Sequence, residues 1–106
     1  MHLGKMGTDA SGWIGGAWDW GLTVAIGYAT AGVDASHRHE RTTEIYLVAA
    51  GSSIAVVDGV EIEIEAGDVL AVEPHEVRSF SASSDDYRCF VLHVGGDGTS
   101  DKVPVG

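Results

Sequence analysis

Apolar and polar positions alternate most clearly from Val60 to Glu65, where Val60, Ile62 and Ile64 interleave with Glu61, Glu63 and Glu65. Successive side chains of a strand leave on opposite faces. The pattern therefore predicts a half-buried β-strand with one apolar face and one solvated carboxylate face. Asp58-Gly59 stands just before it, and a two-residue type I′ turn needs positive φ at both central residues, so a tight hairpin is expected there. Further strand-forming runs occupy residues 22–31, 44–50, 68–73, 77–82 and 87–94. No stretch repeats at 3.6 residues for long enough to predict a helix. Fifteen glycines punctuate the apolar runs, whereas proline occurs only at Pro74 and Pro104. Many short strands joined by tight turns predict an all-β, antiparallel sandwich or barrel.

The pattern also divides the chain. Residues 1–20 carry all three tryptophans, Trp13, Trp18 and Trp20, in a stretch of weaker strand character, expected as an N-terminal arm or edge strand. Residues 21–95 are expected to form the sandwich or barrel itself. Residues 96–106, "GDGTSDKVPVG", read as a loose C-terminal tail. At 106 residues the chain suits one domain with one core.

Charge narrows the partners. Six basic and sixteen acidic side chains give a net charge of −10. Such a surface repels phosphate backbones and anionic membranes, which argues against nucleic acid and membrane as partners. No apolar run approaches the roughly 20 residues that span a bilayer. The opening "MHLGKMGTDASG" has no apolar core like that of a signal peptide, so a cytoplasmic protein is expected. With one cysteine, Cys89, no intrachain disulfide forms, and its strand-like setting predicts a buried, inert thiol.

Chemistry concentrates in "SHRHERTTE", Ser36 to Glu44. On a strand His37 and His39 project from the same face while Arg38 points away. Glu44 opens the next strand and supplies a carboxylate to the same region. Two imidazoles and one carboxylate leave open coordination positions, an arrangement suited to Fe(II), Mn(II), Ni(II) or Zn(II). An HxH pair by itself is equally a polar strand end.

The segment from Gly32 to Gly51 resembles the first signature motif of the cupin superfamily: a glycine, an HxH pair, a following glutamate and a closing glycine. Gly67 and Asp68, then "VLAV" and "EPHEVRSF", resemble its second motif. The likeness covers residues 20–95 and implies a double-stranded β-helix, the cupin jelly-roll barrel. It implies a divalent transition metal (Fe, Mn, Ni, Zn or Cu) on His37, His39 and Glu44. It also implies a homodimer, with dioxygenase, isomerase, epimerase or cyclase chemistry on a small molecule. The alternative is a non-catalytic small-molecule-binding cupin.

This chain departs from the second motif at two positions. The motif's glycine falls on His75, and its last metal-binding histidine falls on Arg78. Three outcomes follow: His75 swings in as the replacement ligand; three residues hold the metal, with solvent or substrate completing the shell; or no metal binds and Arg78 neutralises Glu44. A guanidinium fork facing the cavity would suit an anionic substrate. Tyr46 shares strand parity with Glu44 and Phe80 with Arg78, so both are expected to line the cavity. His93 reads as a core or surface histidine rather than a ligand.

Overall fold

The computed structural model describes residues 1–30, 34–95 and 100–106. The first motif glycine, Gly32, and tail residues 96–99 lie outside the described residues. Ten strands follow in order: β1 (Ser11–Gly15), β2 (Ala25–Ala29), β3 (Asp34–His39), β4 (Thr43–Ala50), β5 (Ser52–Val57), β6 (Val60–Glu65), β7 (Val69–Val72), β8 (Arg78–Ser83), β9 (Arg88–Val94) and β10 (Lys102–Pro104). No helix among the described residues is long and apolar enough to cross a membrane.

The strands form two five-stranded antiparallel sheets, ordered β1-β2-β9-β4-β7 and β10-β3-β8-β5-β6. The sheets pack as a jelly roll without closing into one continuous hydrogen-bonded barrel among the described residues. The period-two pattern is realised in β6, where Ile64 is buried and Glu61, Glu63 and Glu65 are exposed. The Asp58-Gly59 turn has φ of 48° and 80° and closes Val57 onto Val60. Asp58 also ties this hairpin to the approach of β8. Its N–H donates to the Val77 carbonyl, and its Oδ1 accepts the Val77 N–H at 2.8 Å.

The core lies between the sheets. Tyr46 of β4 meets Phe80 of β8 with ring centroids 4.9 Å apart, and Val48, Ala55, Ile64, Val72, Tyr87, Cys89 and Val91 complete the cluster. Aromatic pairs of this tilted kind add roughly 0.5–1.5 kcal/mol beyond their burial. Burial pushes the Cys89 thiol pKa upward, consistent with an inert core cysteine.

The tail is not loose where it is described. Lys102, Val103 and Pro104 pair with His39, Arg38 and His37, which makes β10 the edge partner of the strand that carries the histidines. This pairing joins segments far apart in sequence, so tail composition carried no sign of it. Pro104 is tolerated there because an edge strand need not donate on its outer side.

Candidate metal centre

The loop from Glu40 to Thr42 carries the chain from one sheet to the other. His37 and His39 therefore project from β3 while Glu44 projects from β4 on the facing sheet. The glutamate reaches the pair across the interior rather than from a hydrogen-bonded neighbour strand. All three side chains are buried, and one ligand atom from each lies within 4.8 Å of the others.

The orientation of each imidazole follows from its outer nitrogen. His37 Nδ1 is 2.9 Å from the Ala35 carbonyl. A carbonyl only accepts, so Nδ1 carries the proton and donates. His39 Nδ1 donates to Asp101 Oδ1 at 2.7 Å. Both Nε2 atoms then face Glu44 Oε1, at 3.5 Å from His37 and 3.0 Å from His39. Neither contact has the alignment of a hydrogen bond, and Glu44 Oε1 is a buried oxygen without a hydrogen-bonding partner among the described residues. Two Nε2 atoms and a carboxylate oxygen facing one another favour positive charge at the centre, from protons, a metal ion or the nearby Arg78 guanidinium. The donor set and its buried, unpartnered oxygen fit a divalent transition metal.

The electrostatics keep Glu44 ionised and favour a proton on His37. Burial opposes ionisation of Glu44, but His37 beside it, then the charges of His93, His39 and Arg78, hold its pKa at about 2. Burial alone would lower the His37 pKa. Its contacts with Glu44 and the Ala35 carbonyl, and the nearby Asp34 charge, raise it overall.

Arg78 takes the place expected from its register. It pairs directly across the strands with His37 and is completely buried. Its Nη2 donates to the Glu73 carbonyl at 3.1 Å, and its Nε lies 3.8 Å from Glu44 Oε1. The Nε and Nη1 groups have no hydrogen-bond acceptor among the described residues. The guanidinium thus supplies one positive charge behind Glu44. With no exposed surface it does not line the cavity, so its position does not match the expected anion clamp.

His75 is not brought to the cluster. Its side chain is 69% exposed and its Nδ1 lies 3.2 Å from Glu40 Oε2. The physical reason is backbone geometry. His75 sits at φ 71°, the left-handed conformation that the motif assigns to glycine, and its N–H is tied to the His39 carbonyl at 2.7 Å. The position keeps the turn and directs its side chain to solvent.

Two residues at the centre were not anticipated. His93, on β9, pairs in register with Glu44, and its Nε2 lies 3.5 Å from Glu44 Oε2. Burial lowers its pKa, outweighing the nearby Glu44 charge, which favours the neutral ring. Its parity with the buried Cys89 and Val91 is a signal that points it inward. The other is Asp101, 62 residues from its partner His39, for which no local pattern exists.

A cavity of about 1300 Å³ opens beside the cluster. His39, Glu44 and His93 form its polar side, Tyr46 and Phe80 its inner wall, and Trp13 part of its rim. Trp13 is 58% exposed and its ring lies 4.8 Å from that of His93. Tyr46 and Phe80 both line this cavity.

The family model described as "Cupin domain" matches residues 25–95. The chain belongs to the cupin family. Solved structures with the same fold include a cupin protein from Bacteroides fragilis, 28% identical over 93% of this chain and 87% of that one, with a TM-score of 0.66. KdgF from Halomonas sp. is 18% identical over 83% and 79% of the two chains, with a TM-score of 0.69. Streptomyces PAC13 with uridine is 16% identical over 78% and 67%, with a TM-score of 0.65; Pac13 is described as a nucleoside dehydratase. Enzymes therefore occur among the proteins that share this cupin's fold.

Proposed function

We propose that this cupin binds a divalent transition metal through His37, His39 and Glu44 and acts on a small organic molecule in the adjoining cavity. One observation carries the reading: two buried imidazoles, each with its Nδ1 proton committed to an acceptor, turn their Nε2 atoms on one unpartnered carboxylate oxygen. Fe, Mn, Ni, Zn and Cu all suit such donors. When bound, the metal supplies Lewis acidity to a substrate oxygen, which serves isomerase, cyclase or dioxygenase chemistry.

The chain's own residues do the remaining work. Tyr46 and Phe80 exclude water from the inner wall, and burial keeps the Tyr46 phenol protonated. The neutral His93 ring offers the cavity a hydrogen-bonding edge beside Glu44. Trp13 covers an apolar part of the ligand at the rim. Arg78 acts from behind, keeping Glu44 ionised rather than touching substrate. An anionic group on the substrate would meet the metal, not the guanidinium. A homodimer in the cytoplasm is our reading of the assembly; the outer edge of β1, unpaired among the described residues, supports a second copy there.

Arg78 favours a second reading, a metal-free binding cupin, because a guanidinium beside Glu44 already offsets its charge. Metal analysis separates the two. Protein purified without chelator or immobilised nickel should carry about one transition metal per chain, lost in His37→Ala. No metal after incubation with Fe, Mn, Ni, Zn and Cu salts would leave the metal-free reading.

A further inference from the structure

We infer that Asp101 and strand β10 form a clasp that orients His39 toward the metal, which makes the C-terminal strand part of the metal centre; the inference rests on the metal reading above. The carboxylate is built into the site. Asp101 Oδ1 accepts the His39 Nδ1–H at 2.7 Å and the Thr42 hydroxyl at 3.0 Å. Oδ2 accepts the backbone N–H groups of Arg41 and Thr42 at 2.7 and 2.9 Å. Four donors converge on one buried side chain.

Three of these contacts hold the loop that carries the chain from β3 to β4, and one holds the imidazole. The same carboxylate therefore sets both the crossover that brings Glu44 opposite the histidines and the tautomer of His39. A carboxylate on the outer nitrogen of a ligating histidine fixes the ring and strengthens its donor nitrogen. The strand that delivers Asp101 is short, and its pairing with β3 covers His37 through His39. Metal held at Nε2 and Asp101 held at Nδ1 share one ring. By linkage, each stabilises the other's contact, so metal binding should tighten the C-terminal segment.

Asp101→Asn tests the clasp in the full-length chain. The amide keeps the shape, but its nitrogen donates instead of accepting a hydrogen bond, and it carries no charge. Thr42→Val is the control, because it loosens the same loop without touching the imidazole. Co²⁺ affinity is measured by competition with a chelating indicator. The His39 tautomer is read by ¹⁵N NMR of the metal-free protein, and amide exchange of residues 100–106 is followed with and without Co²⁺. The clasp predicts an Nδ1–H tautomer for His39 and slower exchange in the C-terminal segment with Co²⁺. It also predicts roughly 10–100-fold weaker Co²⁺ binding in Asp101→Asn, and a clearly smaller loss in Thr42→Val, which keeps the carboxylate on His39. Equal affinity in wild type and Asp101→Asn, or an equal loss in Thr42→Val, would overturn the clasp and leave the metal centre standing. A wild-type protein that binds no Co²⁺ would overturn both.

Discussion

Arg78 sits directly across the strands from His37, buried on the same side of the sheet, at the position where the cupin motif places its last histidine. The expected ligand has been exchanged for a fixed positive charge whose Nε lies 3.8 Å from Glu44 Oε1. Like charge at this range opposes a cation, so under the proposed metal reading three ligands and an adjacent guanidinium would make a weaker centre than four ligands.

Arg78→His should therefore raise metal affinity more than tenfold in a competition titration. Without metal, the variant should be destabilised by about 3–5 kcal/mol in chemical denaturation, because Glu44 loses its buried counter-charge. Metal should restore that loss. Unchanged affinity would mean that the side chain at this position does not reach the metal.

His75→Gly should leave metal affinity unaltered. The turn at φ 71° suits glycine, and the exposed contact with Glu40 contributes little. Stability in urea should stay the same or rise by up to about 1 kcal/mol. A clear drop in metal affinity would bring His75 back as a ligand.

The metal-free protein should lose stability in acid. Glu44 titrates at about 2 in the fold against an ordinary 4.5, so its contribution is present above pH 4.5 and is lost as pH falls through about 2. Asp101 acts in the same direction: burial opposes its ionisation, but the hydrogen bonds from His39, Arg41 and Thr42 hold its pKa well below the usual carboxylate range. Melting temperatures from pH 6 to pH 2 should fall below pH 4.5, and the fall should be shallower in Glu44→Gln.

Gly51→Ala and Gly59→Ala separate crowding from backbone conformation. Both glycines have positive φ, at 70° and 80°. A Cβ at Gly51 would run into Ser84 Oγ and meet the Tyr87 Cα at 2.8 Å, whereas one at Gly59 meets nothing within 4 Å among the described residues. Gly59→Ala should cost about 1–2 kcal/mol from conformation alone, and Gly51→Ala measurably more. Equal losses would mean that the β4–β5 turn yields to relieve the contact.

Much of this was legible because it is local. Period two in β6, the Asp58-Gly59 turn and the parity of His37 with His39 depend on neighbours in the chain, and each is found as expected. The seat of Arg78 opposite His37 was legible through the motif's spacing. What spacing does not hold is depth. It could not tell that Arg78 is sealed from the cavity or that His75 turns outward under a positive φ. His93 was readable from its alternation with Cys89 and Val91, but a single strand does not reveal that Glu44 lies beside it. Asp101 depends on the edge pairing of β10 with β3, a contact between distant segments that no local pattern encodes.

The most direct test of the central claim is a crystal structure of protein loaded with Zn²⁺ or Mn²⁺, with diffraction recorded across the metal's absorption edge. The account predicts an anomalous peak bounded by His37 Nε2, His39 Nε2 and the Glu44 carboxylate, at roughly 2.0–2.2 Å from each ligand atom. Arg78 should remain behind Glu44, outside the coordination shell. An empty centre at saturating metal, with the guanidinium moved into hydrogen-bonding distance of Glu44, would contradict it.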